Sequence, residues 1–207
     1  AKSLFLNRRL TVNVSTFLTK FDDFQVFQFL PTQATNGTVL SLTNPGKVTS
    51  KGLELDISAV LTEHLQLSVN TAYTSARFDE FKNGGGIGKN YDNHYLPYAP
   101  KNNYFVALDY MRPVFGEASI FAHIDYGYTD DYYSNPNNLP GNKIPGRNLT
   151  NARLGVKVDD SWDVSLWVKN LADDTSLRQK SVSFLGVPRG VYNSPRTYGL
   201  ELKYTFN

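Results

Sequence analysis

The chain has 207 residues, 41% of them hydrophobic, and a formal net charge of +2. No segment approaches the roughly 20 apolar residues of a spanning helix, and so small a charge without a basic cluster argues against nucleic acid as a partner. The absence of Cys removes disulfides, thiol catalysis and zinc–thiolate sites together.

What remains is a chain of strands. It opens on the alternating run Ala1–Leu6, with no initiating Met and no charged-then-apolar leader. An exported protein needs such a leader, so the expectation is that it was removed just upstream or that the chain begins in mid-fold. Asn7-Arg8-Arg9 turns into Leu10–Leu30, where Leu10, Val12, Val14 and Thr16 share one face. Pro31–Gly37 breaks that run. Thr38–Leu61 returns with Leu53, Leu55, Ile57, Ala59 and Leu61 opposite Glu54, Asp56 and Ser58. After the tight turn Thr62-Glu63-His64, Leu65–Glu80 goes out with Leu67, Val69, Thr71 and Tyr73 in step.

A long connection, Phe81–Pro100, precedes Asn102–Met111, and a short one, Pro113–Gly116, precedes Ala118–Tyr128. The Asn- and Pro-rich stretch Asp131–Gly146 leads to Asn148–Val158. The short Asp159-Asp160-Ser161 leads to Trp162–Leu171, and Asp173–Pro195 is long again. In the last strand Tyr198, Leu200, Leu202, Tyr204 and Phe206 alternate with Gly199, Glu201, Lys203 and Thr205. Those eight steps cover roughly 27 Å with an aromatic at each end, as in a tilted membrane-crossing strand with interfacial anchors.

About nine strands result, with long and short connections in strict alternation, the asymmetry of an outer-membrane barrel with extracellular loops and periplasmic turns. The expected fold class is therefore all-β, an antiparallel transmembrane β-barrel segment. Glu54, Asp56, Asp109, His123, Asp125, Arg153, Lys157, Asp163, Lys169, Glu201 and Lys203 then face a wet lumen. Single-chain bacterial barrels have even strand numbers, so an odd count beginning in mid-strand reads as part of a larger barrel. A Lys placed at Leu55, Val106 or Leu166 is expected to be costly, and one at Ser58 or Ala107 mild.

Several segments, in order, resemble the C-terminal part of a TonB-dependent outer-membrane receptor. They are Asn7–Asn13 running into Phe17 and Asp22–Gln25, Asn44–Lys47 running on to Ser50–Leu55, Leu96–Lys101, Trp162–Leu171 and Pro195–Gly199. The resemblance covers the whole chain, residues 1–207. It implies about nine strands of a barrel of about 22, with the plug domain and N-terminal strands absent. It also implies energised import of a scarce ligand, often a ferric siderophore, in the bacterial outer membrane, with no enzymatic activity and no cofactor. Its partners would be the TonB complex, reached through the missing part, and outer-membrane lipid and lipopolysaccharide. One departure is that Phe206 is penultimate, where such barrels commonly end on an aromatic.

Against that frame the candidate site residues lie in the long connections. Tyr91, Asp92, His94 and Tyr95, with Tyr98, combine aromatics with a His and an Asp. They suit stacking on a chelated ligand, or equally packing the loop at the interface. Arg147, Arg178 and Arg189, with Lys143 and Lys180, suit electrostatic steering of an anionic ligand. Solvation or lipopolysaccharide phosphates explain these charges as well. The three His are scattered, which argues against a metal site.

Ser119, His123 and Asp125 share a strand face, but Ser119 and His123 stand roughly 13 Å apart along it, far beyond nucleophile–base reach. Gly84-Gly85-Gly86-Ile87-Gly88 lacks the following helix of a phosphate loop and reads as permissive backbone. Two other functions fit the strands. A passive porin-like barrel predicts an even strand count and a native chain near this size. A soluble all-β carbohydrate-binding module predicts apolar faces buried between two sheets.

Overall fold

A computed structural model describes residues 2–31, 38–86, 88–159, 161–182 and 187–206. Its strands in chain order are β1 (Lys2–Phe5), β2 (Leu10–Pro31), β3 (Thr38–Val60), β4 (Leu65–Glu80), β5 (Asn102–Pro113), β6 (Ala118–Thr129) and β7 (Tyr132–Tyr133). There follow β8 (Lys143–Ile144), β9 (Arg147–Val158), β10 (Trp162–Lys169), β11 (Leu177–Val182), β12 (Pro188–Tyr192) and β13 (Thr197–Tyr204). Nine of them form one antiparallel sheet in the order β1-β2-β3-β4-β5-β6-β9-β10-β13. The pairs β7–β8 and β11–β12 are separate hairpins inside the long connections.

Every strand of the large sheet pairs with its neighbour along the chain, so the alternation of each carries across to the next without a change of face. One apolar row runs Val12, Ile57, Val69, Val106 and Tyr126. At the other end Leu154, Leu166 and Leu200 are opposite one another. This face is open: Leu154, Leu166 and Leu200 are 61%, 62% and 68% exposed. A soluble sandwich would bury such a face against a second sheet; here no second sheet covers it among the described residues. The buried apolar cluster lies elsewhere, where Val26, Val48, Phe78 and Phe81 close the opposite face above the long-connection end.

The opposite face is polar, and its charges are paired across strands. Asn70 Nδ2 donates to Asp56 Oδ1 (2.8 Å), and Asn151 Nδ2 donates to Asp125 Oδ1 (2.8 Å). Arg153 joins three strands, reaching Ser165 Oγ, Asp163 and Glu201. Aromatics on this face lie over glycines on the next strand. A Cβ on Gly155 would stand 2.5 Å from the Phe121 ring, and one on Gly199 would stand 2.6 Å from the Trp167 ring. The missing side chain is what lets each ring lie flat along the wall.

The short turns are closed by backbone and side-chain bonds. Arg9 Nε and Nη2 donate to the carbonyls of Val60 and Leu61, tying the first turn to the second. Gly116, at φ 53°, supplies the left-handed residue of the third. Two expectations differ in detail, and a third falls largely outside the described residues. The last strand ends at Tyr204 because β10 starts opposite it at Trp162, so Phe206 packs edge-on against Tyr204, 86% exposed. Ala107 faces the polar side but is only 4% exposed, so a Lys there would not be mild. Most of the Pro31–Gly37 break lies outside the described residues, as do Ala1, Ile87, Asp160 and Asn207.

Candidate ligand-binding site

The three long connections 81–101, 130–146 and 170–196 rise from the same end of the sheet and interlock there. The first folds back on β4 at Asp92, whose Oδ1 accepts the Phe81 N–H (2.7 Å) and whose Oδ2 pairs with Lys82 Nζ (2.7 Å). The Lys82 hydrogen bond, then the Phe81 N–H, hold the Asp92 carboxyl below its ordinary value. Tyr91 sets its ring edge-on to Phe81 and stacks on His94 with centroids 5.0 Å apart. Burial pushes the Tyr91 phenol up. His94 Nδ1 lies 2.9 Å from the Pro136 carbonyl oxygen, the first link to the second connection.

Residues 93–96 continue the sheet beside β4 beyond the end of β5. Phe78 N donates to His94 O and Leu96 N to Ala76 O, with Tyr95 opposite Arg77. The Tyr95 ring carries Arg77 at 4.0 Å and Lys101 at 4.6 Å, a cation–π clamp. Arg77 also donates to the Tyr95 hydroxyl. Asn138 binds Tyr95 at both backbone groups, accepting from its N–H (2.6 Å) and donating to its carbonyl (3.0 Å).

Tyr98 spans all three connections. Its N–H donates to Tyr133 O (2.8 Å), its ring packs on Tyr132, and its hydroxyl donates to Lys180 O (2.9 Å). Its φ of 57° is unusual for a bulky side chain, and this set of contacts holds it there. Tyr132 donates to Arg178 O (2.7 Å) and accepts from Arg147 Nη1 (3.0 Å). Lys180 Nζ bonds Gly141 O.

The eight candidate residues thus separate into three sets. Tyr91, Asp92, His94 and Tyr95 are turned into the packing of the first connection. Tyr98, Arg178 and Arg189 are exposed, and Arg189 stands on β12 opposite Ser181. Arg147 is half-buried below them, at the edge of a concavity of about 560 Å³ on the polar face. Glu54, Asp56, Asn70, Asn103 and Phe105 line the concavity. The sequence places Glu54 and Asp56 on the lumenal face, but Asn70, Asn103 and Phe105 do not stand out in it, because only the register across β3, β4 and β5 brings the five to one height.

This surface offers carboxylates, amides, one guanidinium and an aromatic ring to a polar ligand. Among the described residues no group of three His, Cys, Asp or Glu could hold a metal ion. Ser119 lies opposite Lys157, while His123 sits between Asp109 (2.7 Å) and Asp125 (3.3 Å), so no nucleophile–base pair forms there. The Gly84–Gly88 run is held by its own turn, with Gly85 N donating to Lys89 O and Gly88 N to Asn83 Oδ1.

Residues 1–171 match the family model described as TonB dependent receptor-like, beta-barrel. The chain belongs to the TonB-dependent receptor family. That is a family of receptors, and its nine-stranded sheet is a segment of the family's barrel wall. The chain is 27% identical over 166 residues to the ferric-pyoverdine M114 receptor PbuA of Pseudomonas sp. (strain M114), covering 79% of this chain and 19% of that receptor. Its fold is like that of the ferric yersiniabactin uptake receptor FyuA of Yersinia pestis, with a TM-score of 0.77 at 16% identity over 100% of this chain and 29% of that one. The siderophore receptor PiuA of Acinetobacter baumannii gives a TM-score of 0.72 at 20% identity, over 98% and 27% of the two chains. The chain therefore spans about a fifth of the curated receptor it matches. In a TonB-dependent receptor barrel the apolar face meets lipid, the polar face meets the lumen, and the long connections are extracellular.

Proposed function

We propose that this chain is the C-terminal part of the barrel of an outer-membrane receptor that imports a ferric siderophore by energised transport. The plug domain, the TonB-contacting segment and the remaining strands of a barrel of about 22 would come from elsewhere in the polypeptide. The observation that carries this reading is the family match together with a relative named for ferric-pyoverdine reception. The site geometry supports capture of an anionic chelate. Arg178 and Arg189 are exposed on the β11–β12 hairpin, Tyr98 is exposed beside them, and Arg147 marks the entry to the polar concavity.

In this mechanism the exposed cations steer the ligand to the loops. Tyr91, Asp92, His94 and Tyr95 act indirectly, keeping the first connection ordered so that Tyr98 presents its ring. The ligand then reaches Glu54, Asp56, Asn70 and Asn103 on the lumen wall once the plug is remodelled. Titration of the intact, purified receptor with ferric and iron-free siderophores, read by fluorescence quenching, tests this assignment. Saturable binding of a ferric chelate, weakened in an Arg147→Met, Arg178→Gln, Arg189→Gln variant, is the expected result. Binding of neutral oligosaccharides instead would reject it, and free diffusion of small solutes through the barrel in bilayers would favour a porin.

A further inference from the structure

Asn83 and Gly84 form an Asn-Gly pair near the start of the first connection, one of two in the chain with Asn36-Gly37. In such a pair the glycine nitrogen can attack the Asn side-chain carbonyl, because no Cβ on the following residue stands in the way. Asn83 is exposed, and its Nδ2, the group that would leave, has no partner among the described residues. The rest of the residue latches the turn. Its N–H donates to Asn90 Oδ1 (3.0 Å), its carbonyl accepts from Gly86 N (2.9 Å), and its Oδ1 accepts from Gly88 N (2.8 Å).

The latch also holds the pair unreactive. Asn83 has a φ of 55°, in the left-handed region, where ψ is about +47°. At that ψ the Gly84 nitrogen points away from the Asn83 side chain, so ring closure waits for the turn to open. Gly84 itself is buried, and a Cβ there would stand 2.6 Å from the Tyr91 ring and 2.9 Å from the Phe81 ring. Those two rings belong to the clamp that closes this stretch. In it Asp92 takes the Phe81 N–H and Lys82 Nζ, and Tyr91 N donates to Phe81 O. Opening of the turn is therefore coupled to opening of the clamp.

Once the turn opens, the chemistry needs only water and hydroxide. Hydroxide removes the Gly84 amide proton, and the nitrogen closes on Asn83 Cγ. The Cγ–Nδ2 bond then breaks, and Nδ2 takes a proton from water and leaves as ammonia, which regenerates hydroxide. The succinimide so formed takes up water at either carbonyl. Opening at Cγ breaks the new bond to Gly84 N and gives aspartate with the main chain intact. Opening at the backbone carbonyl breaks the original peptide bond and gives isoaspartate, with the main chain running through Cβ and Cγ. Nothing is oxidised or reduced. Aspartate keeps an oxygen for the Gly88 N–H, whereas isoaspartate displaces the carbonyl that takes the Gly86 N–H and releases the latch.

We propose that Asn83-Gly84 is a self-modifying site of the first connection. There Asn83 converts to aspartate or isoaspartate at a rate set by the clamp of Asp92 on Phe81 and Lys82, and isoaspartate unlatches the loop. The site is independent of what the receptor transports. The test ages the intact, purified receptor at mildly alkaline pH, with a parallel sample unfolded in urea, and maps the chymotryptic fragment 82–91 by mass spectrometry. Conversion at Asn83 should proceed in the folded receptor, but more slowly than in urea. Asp92→Ala should speed the folded reaction roughly two- to ten-fold, the effect of about one net hydrogen bond. It should leave the rate in urea, and the rate at Asn36, unchanged.

In the aged receptor, exchange of the Gly86 and Gly88 amides should rise in proportion to isoaspartate. Freshly prepared Asn83→Asp should keep the exchange of unaged wild type. Equal rates in the folded and unfolded chain would overturn the proposal. So would a folded rate that Asp92→Ala leaves unchanged while its circular dichroism spectrum matches wild type. Absence of conversion at Asn83 in the folded receptor, over the time in which Asn36 converts fully in urea, would overturn it as well. If Asp92→Ala does not fold, Lys82→Met removes one arm of the clamp and gives the same reading, with its rate normalised to that in urea.

Discussion

Leu55 and Asp56 are consecutive on β3, near mid-height of the wall, on opposite faces. Leu55 faces lipid between Val14 and Thr71, and Asp56 faces the lumen between Asn13 and Asn70. A Lys at Leu55 puts an ammonium near the bilayer midplane, which costs about 2–4 kcal/mol, a roughly 30- to 700-fold fall in the folding equilibrium. A Lys at Asp56 loses the Asn70 hydrogen bond, about 0.5–1.5 kcal/mol, and gains a carboxylate neighbour in Glu54 across the pleat. Folding of the intact barrel into vesicles, followed by urea titration, reads both. Leu55→Lys should be the more destabilised by at least about 0.5 kcal/mol, the gap between the two ranges. Equal destabilisation would refute the assignment of faces, and with it the barrel.

Other consequences are as definite. Val106→Lys and Leu166→Lys should behave as Leu55→Lys does, and Ser58→Lys should be mild, in the same titration. Gly155→Ala forces its Cβ against Phe121 and the Val164 carbonyl and should cost about 1–3 kcal/mol, with the part due to the ring removed when Phe121 is also cut to Ala. Tyr98→Phe removes the bond to Lys180 O, and hydrogen exchange in 177–182 should rise while the large sheet is unchanged. For Asp92 the folded carboxyl titrates below its ordinary value of 3.8. Its contribution to loop order is therefore present above that value and lost as pH falls through the lowered one. Exchange of the Phe81 and Tyr91 amides should rise across that window in wild type and be independent of pH there in Asp92→Asn.

The wall was legible in the sequence because each of its strands has one face in lipid, which enforces period-two alternation over long runs. Leu65–Glu80 is a strand of those bounds, and the other long strands shift by a residue or two at their ends. The loop end was less legible. The hairpins β7–β8 and β11–β12 carry no alternation because they meet no lipid, and Tyr132 and Asn138 are fixed by partners in other connections. Tyr91 and Tyr95 were visible as aromatics, but a Tyr that holds a loop and a Tyr that holds a ligand look alike in a sequence. The concavity was hidden for another reason: Glu54, Asn70 and Asn103 meet only through register, which no single strand records.

The most direct measurement is uptake of radiolabelled iron as its siderophore chelate by cells carrying the intact receptor, with and without a protonophore. Saturable uptake that stops when the proton gradient is collapsed, and that is lost with the receptor, is the predicted result. Uptake that proceeds undiminished without the gradient would contradict energised transport and leave the barrel a passive pore.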